Sequence, residues 1–400
     1  MTMQPNDAIS LGNMIEAPAA GTGAGTGEAP FRIAVFLQDL YGGGAERVML
    51  ALATGIARRG IPVDLVLVRR EGAYVEDIPA NVRVIELGSR RTVNSVMALA
   101  RYLKRERPTV LLTALVHVNI AALLARLIAG GSTRIAITEH NQISRNMGPT
   151  ASSTVRMAYR LVPYLYPRAA RIIAVSAGVA DDLTRFARIK RSRIEVAHNP
   201  VVTEDLLTRA AQPVNHPWLA EGEPPVILGV GRLSEQKDFA NLLRAFARLR
   251  ASRPARLMIL GEGKLRPELE RLADELGIAA DVQLPGFVDN PMAFMAKASL
   301  FVLSSRFEGL PTVLIEAIAC GTNVVSTDCP SGPSEILEGG RLGGLAPVGD
   351  PEALARAMGE ALENPVPAAL LRAKADEFTA DRAVDRYLEL LQPAAARSLA

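Results

Sequence analysis

The sequence predicts an α/β protein with two doubly wound halves, each a parallel sheet covered by helices on both faces. Two observations carry this expectation. Short, almost wholly apolar runs recur with amphipathic stretches between them, as buried parallel strands joined by helices require. The repeating pattern then breaks once, at a proline-rich stretch near the middle, and resumes.

The first series runs through 31–37 (FRIAVFL), 63–68, 110–115, 134–138 and 171–175. A glycine cluster follows the first run and leads into a helical stretch over 45–59. Prolines 200, 213, 217, 224 and 225 crowd the next stretch, so 201–225 reads as a linker. The second series occupies 225–230, 256–260, 282–284, 300–303 and 323–327. The expected organisation is therefore a disordered extension over 1–30, where Gly, Ala, Pro and Thr dominate without periodicity. A first domain over 31–200, the linker, a second domain over 226–374 and a last helix over 375–392 follow. Ligands of such sheets bind beyond the carboxyl ends of the strands, and two such edges can face one cleft.

Composition sets the outer bounds. With 49% apolar and 22% charged residues in 400, the chain is long enough for two globular cores. No apolar run reaches the roughly 18–20 residues of a spanning helix, and the acidic N-terminus does not read as a secretory signal. Cys320 and Cys329 form no metal-ligand spacing and imply no disulfide framework, so an intracellular, cytoplasmic chain is expected. The net charge of +3 conceals an asymmetry: residues 31–200 carry 25 Lys and Arg against 12 Asp and Glu, a net of +13, leaving 201–400 at −7. A front half so basic suits a partner that is anionic on one side. Aromatics are 4% of the chain, which argues against a base-stacking nucleic-acid platform, and no nucleic acid is expected.

Three loops carry candidate chemistry. Gly42-Gly43-Gly44-Ala45-Glu46 joins the first strand to the first helix, where glycine lets backbone N–H groups approach an anion. It is neither a Walker loop nor G-x-G-x-x-G. Gly229 to Asp238 (GVGRLSEQKD) places Arg232 and Lys237 at a strand's carboxyl end, a forked cation and a point charge suited to a diphosphate. Phe307 to Glu316 (FEGLPTVLIE) sets Glu308 before a helix that Pro311 suits at its start, and Glu316 inside it. A glutamate amid Leu314, Ile315, Ala317 and Ile318 is costly on a buried face, which points to a ligand hydroxyl. The free N–H groups of that helix's first turn make a second anion site. His117 and His140, two of only four histidines, fall at equivalent sheet edges. No D-x-D, H-E-x-x-H, C-x-x-C or G-x-S-x-G occurs, and no metal site is expected.

Together GGGAE, GRLSEQK, GEG at 261–263, LPGFVDNP at 284–291 and FEGLPTVLIEAIACG resemble glycosyltransferase family 4, in order over about 31–392. Glu308 and Glu316 match that family's E-x7-E element. The resemblance implies a GT-B fold, two Rossmann-like domains facing a central cleft, and a retaining, metal-independent transferase. Its co-substrate would be a nucleotide diphosphate sugar, with no further cofactor. In this reading Arg232 and Lys237 neutralise the departing diphosphate, with the amides of Gly43 and Gly44 across the cleft. Glu316 binds ribose hydroxyls. Glu308, with Gly309, Leu310, Pro311 and Thr312, holds the transferred sugar, and Glu262 lies near the nucleoside. His117 is similar to the cleft histidine near the sugar, although the usual following Glu-Pro is missing. His140 and Asn141 stand on the acceptor side.

The segment DCPSGPSEIL over 328–337 resembles members that add hexoses or N-acetylhexosamines to lipid-linked bacterial surface glycans, which favours UDP as the donor nucleotide. With such an acceptor, Arg69, Arg70, Arg90, Arg91, Arg101, Lys104, Arg105 and Arg107 would meet anionic headgroups, giving peripheral association at the cytoplasmic face of the inner membrane. The final helix would cross back to the first domain and form part of a hinge. A nucleotide-sugar epimerase or glycan phosphorylase on the same plan, or a non-catalytic nucleotide- or glycan-binding protein, are the rival readings.

Overall fold

A computed structural model describes residues 31–41, 43–146 and 153–392. The expected extension over 1–30 and Gly42 lie outside these residues. The described residues cluster as one compact unit that holds two parallel sheets.

The first sheet contains β1 (Ile33–Leu37), β2 (Val63–Leu67), β3 (Val82–Glu86), β4 (Val110–Ala114), β5 (Arg134–Glu139), β6 (Arg171–Ala174) and β7 (Ile194–Val196), in the order β3-β2-β1-β4-β5-β6-β7. Its helices are α1 (Gly44–Arg58), α2 (Val96–Glu106), α3 (Val116–Ala129), α4 (Ile143–Asn146), α5 (Ser153–Leu165) and α6 (Ala177–Ala187). After α7 (Glu204–Ala210) the second sheet holds β8 (Val226–Val230), β9 (Arg256–Leu260), β10 (Val282–Gly286), β11 (Leu300–Leu303), β12 (Val324–Thr327) and β13 (Gly344–Ala346), ordered β10-β9-β8-β11-β12-β13. Its helices are α8 (Phe239–Ser252), α9 (Arg266–Glu275), α10 (Pro291–Lys297), α11 (Thr312–Cys320), α12 (Pro333–Ile336), α13 (Pro351–Glu363) and α14 (Ala368–Ala375), and α15 (Ala380–Leu391) closes the chain's path.

The strands are apolar throughout because both faces are covered. Along β1, Ala34 and Phe36 enter one core while Ile33, Val35 and Leu37 enter another. Along β11, Phe301 and Leu303 enter the first core and Leu300 and Val302 a third. This is period-two alternation with no polar face. In each sheet the strand order reverses beside its first strand, between β1 and β4 and between β8 and β11. Crevices open at such switch points. The three strands absent from the sequence reading, β3, β7 and β13, are sheet-outer strands, and the latter two are three residues long.

The segment expected as a linker contains a helix. Val202 pairs in parallel with Thr379, and Thr203 then caps α7 through its Oγ1, 3.1 Å from the Leu206 N–H. Glu204 and Asp205 fill the first turn of α7, which packs on α10 and α11. A threonine cap followed by two acids is a helix start worth about 1 kcal/mol, and the prolines drew attention from it. The final helix also starts later than 375: α14 ends there, a 3-10 turn follows, and Thr379 caps α15.

Helix α15 lies on α1, so close that a side-chain carbon on Gly55 would sit 2.4 Å from Val384 Cγ2. Tyr387, Leu391 and Val384 bury themselves there, Arg59 pairs with Asp381 and Asp385, and Arg134 and Arg171 donate to the Leu391 and Leu390 carbonyls. The first half is thus completed by α15, the last helix among the described residues.

At the carboxyl end of β5, Glu139 is buried with Asn119 and Tyr166, both of which donate to its Oε1. Burial pushes its carboxyl up to about 7 from 4.5. A carboxyl raised on folding stabilises fully below its unfolded pKa and loses that contribution as pH rises through the folded value. The stability of Glu139→Gln relative to the native chain should therefore increase between pH about 4.5 and 7, by up to about 3 kcal/mol. Denaturant melts of both chains across this range check it, and a pH-independent difference refutes it.

Candidate active site

The loops named from the sequence converge where the carboxyl edges of the two sheets meet. The β8–α8 loop leaves its strand through Gly231, which lies under the Lys237 chain: a side-chain carbon there would fall 3.2 Å from Lys237 Cε. Gly261, at φ +138°, packs its α-carbon against the Gly231 carbonyl, with no room for a larger residue. Asp238 ends the loop in a left-handed conformation and caps α8. Its other oxygen takes Arg306 Nε at 2.9 Å.

Lys237 is thereby delivered to Glu308. Its Nζ donates to Glu308 Oε1 at 2.7 Å, Ser305 Oγ donates to the same oxygen at 2.6 Å, and Glu308 is 6% exposed. A pair so buried needs both its partner charge and extra hydrogen bonds, and it has them. The Lys237 ammonium has three donors, so the bond to Glu308 leaves two for a ligand. Arg232, on the same loop, is exposed and makes no hydrogen bond or ion pair among the described residues.

Glu308 is followed by Gly309, Leu310, Pro311 and α11. Pro311 takes the cap position of α11 without a side-chain cap; the Leu314 N–H turns back to the Pro311 carbonyl at 3.1 Å, and the Thr312 and Val313 N–H groups are left for a ligand. Glu316, one turn further on, is buried, and burial raises its carboxyl pKa while Arg47, Lys237 and Arg209 oppose the shift. Arg47 reaches from α1 in the other half, its Nη1 4.0 Å from Glu316 Oε1. Gly43 and Gly44 precede Arg47 in the same first turn, Gly44 with open space beside it.

The two halves touch at Gly309. A side-chain carbon there would lie 1.9 Å from the His140 carbonyl oxygen and 3.1 Å from the Asn141 α-carbon. The Gly309 carbonyl accepts from Ser176 Oγ at 2.8 Å and Ser331 Oγ at 2.6 Å, one serine from each half. Glu335 adds a second crossing, to the Ala177 N–H at 3.0 Å and His198 Nε2 at 2.9 Å. His140 and Asn141 therefore lie against the loop expected to hold the donor sugar. Burial pushes the His140 imidazole down to about 4, and its Nε2 meets Thr138 Oγ1 at 2.9 Å.

His117 is not on a strand end but is the second residue of α3. Leu115, at φ +75°, turns the chain sharply from β4 into that helix, a strained conformation for a bulky residue. The ring's Nε2 meets Gln38 Oε1 at 3.1 Å, and burial lowers its pKa, with Asp39 opposing.

Glu262 is drawn aside. Arg266 grips it through two bonds, 2.6 and 3.1 Å, and also donates to the Leu284 carbonyl at 3.0 Å. Its carboxylate is held low by that guanidinium and is engaged in positioning the β9 and β10 loops. Of the basic residues expected to meet headgroups, Arg69 is committed to Asp39 at 2.7 Å and Glu71 at 3.1 Å, and Arg105 to Glu106 at 2.9 Å. Arg70, Arg90, Arg91, Arg101, Lys104 and Arg107 are exposed. Sequence reasoning passed over Arg47, Ser305, Ser176 and Ser331. Arg47 alone carried a signal, as the cation one turn into the helix after the glycines.

Comparison with known proteins agrees with this architecture. Family models described as Glycosyltransferase Family 4 and Glycosyl transferases group 1 match residues 42–205 and 214–380. The chain is 32% identical, over 83% of its length and 90% of the relative's, to the N-acetylgalactosamine-N,N'-diacetylbacillosaminyl-diphospho-undecaprenol 4-alpha-N-acetylgalactosaminyltransferase of Campylobacter jejuni. It is 26% identical, over 87% and 96%, to a lipopolysaccharide core biosynthesis glycosyltransferase of Rhizobium meliloti. Among solved structures, a Rickettsia africae glycosyltransferase superposes with TM-score 0.75 at 17% identity, over 91% and 98% of the two chains. Anabaena HepE in complex with UDP and glucose does so with 0.71 at 20% identity, over 90% and 99%, and both show the GT-B fold. The chain belongs to glycosyltransferase family 4 and is a glycosyltransferase.

Proposed function

We propose that this glycosyltransferase moves a hexose or N-acetylhexosamine from a nucleotide diphosphate sugar, with UDP as the nucleotide, to a lipid-linked glycan acceptor. In this reading the anomeric configuration is retained, and neither a metal nor another cofactor takes part. One observation carries it: Lys237, half-buried and bonded to Glu308 with donors to spare, stands beside the segment that leads into α11, and Arg232 is exposed on the same loop. Two fixed cations and a helix N-terminus supply what a departing diphosphate needs.

The acceptor hydroxyl oxygen forms a bond to the anomeric carbon as the carbon–oxygen bond to the diphosphate breaks. The bonding pair leaves with the diphosphate, where Lys237, Arg232 and the amides of Gly43 and Gly44 meet the charge. The acceptor proton passes to a phosphate oxygen on the same face, which is the route to retention. Glu308 accepts hydroxyls of the transferred sugar and Glu316 those of the ribose. His117 lies on the sugar's other side.

The acceptor assignment draws on the Campylobacter jejuni relative, whose name specifies a diphospho-undecaprenol acceptor, and the UDP assignment on the Anabaena structure. With such an acceptor the enzyme works at the cytoplasmic face of a membrane, consistent with exposed cations on α2. Among the described residues, no helix is long and apolar enough to cross a membrane.

UDP in the presence of EDTA should stabilise the chain against heat by about 2.7 kcal/mol at a hundredfold excess over Kd, and ADP and GDP by less. A shift that requires added metal overturns the metal-free reading. Lys237→Ala and Glu308→Gln should each lower kcat about 10²–10³-fold while circular dichroism stays native. Unchanged turnover in either would remove that residue from the chemistry. The paired crossing segments at Val202 and Thr379 form the hinge in this account, so X-ray scattering should show a smaller radius of gyration with UDP than without.

A further inference from the structure

A groove of about 870 Å³ opens beside His117, between the start of α2, α3 and α5. Its inner end is polar, with Gln38 bonded to both His117 and the Thr92 hydroxyl. Its walls are apolar side chains of α3 and α5, Ile120, Leu124 and Leu161 among them. Its mouth exposes Val93 (54%) and Met157 (53%), with Arg91 in the lining and Arg156 and Arg160 exposed on α5.

We propose that this groove holds the diphosphate and the adjoining polyisoprenoid units of the acceptor. The acceptor sugar sits at Gln38 and His117, the diphosphate at Arg91, and the hydrocarbon lies between α3 and α5. This rests on the lipid-linked acceptor reading above. Two features argue for it. The groove combines neutral polar groups at Gln38, Thr92 and His117, a cation at Arg91 and hydrocarbon walls, the three chemistries of a sugar, a diphosphate and a prenyl chain. A soluble oligosaccharide would instead strand its hydroxyls against walls that offer Ile120, Leu124 and Leu161 no means of bonding them. The exposed Val93 and Met157, rimmed by cations, are the surface an amphiphile with an anionic head covers. His117, which lines the groove, is also the residue placed beside the transferred sugar in the reading above, so an acceptor held here would present its sugar end there.

The test is equilibrium dialysis of the full chain against radiolabelled geranylgeranyl diphosphate, with Val93→Asp, Met157→Asp and Arg91→Ala beside the native chain. Val93 and Met157 are exposed, so their variants fold, and an unchanged UDP melting shift verifies it. Binding should weaken at least about tenfold in each variant, because a carboxylate against hydrocarbon or a lost cation costs that much. Inorganic diphosphate and geranylgeraniol should each bind more weakly than the conjugate. Equal binding by native and variant chains overturns the proposal. So does competition by phosphatidylglycerol vesicles as strong as that of the prenyl diphosphate, which would make the groove a general membrane contact. A UDP shift without lipid binding sinks the groove alone. Lipid binding through these residues without any UDP shift leaves the groove and removes the donor reading.

Discussion

A carboxylate almost fully removed from water survives only beside a charge that is itself held in place, and most of the site follows from that constraint at Glu308. The ammonium of Lys237 must arrive at 2.7 Å, so its loop has to fold tightly back over β8. The glycines at 231 and 261 allow that folding, Asp238 stops the loop by starting α8, and Ser304 holds the Lys237 carbonyl at 2.7 Å. Removing Lys237 would leave the Glu308 charge buried and unpaired, so the pair is more a device of position than of net stability. With Glu308 fixed, Gly309 and the start of α11 are fixed too.

Gly309 in turn sets how closely the halves approach. Its missing side chain admits the His140–Asn141 backbone, and its carbonyl is shared by a serine from each half. The halves thus meet at Gly309 both by close main-chain approach and through the Ser176 hydroxyl. Arg47 is the contrasting contact: a long, exposed side chain 4.0 Å from Glu316, free to change rotamer.

Much of this was legible in the sequence because it is local. Apolar runs report strands that are buried on both faces, and a loop between a strand and a helix reports its own position at the sheet edge. Hence Lys237, Glu308 and Glu316 could be placed beforehand. Strands β7 and β13 were too short to show a pattern, and α7 was masked by surrounding prolines although Thr203 announces it. The pairing of Glu262 with Arg266, one turn later, was not anticipated. Ser176 and Ser331 meet across 155 residues, and no window of sequence contains both.

The return of α15 to the first half has a consequence for how the protein is made. Tyr387, Leu391 and Val384 complete the core over α1, yet they follow the whole second half in the chain. On a ribosome the first sheet must wait with the α1 face uncovered while the second half emerges and folds as an insertion. The face of α1 around Gly55 meanwhile lacks its cover and is open to chaperones. Synthesis order and folding order therefore diverge here, and the half that begins first is finished last.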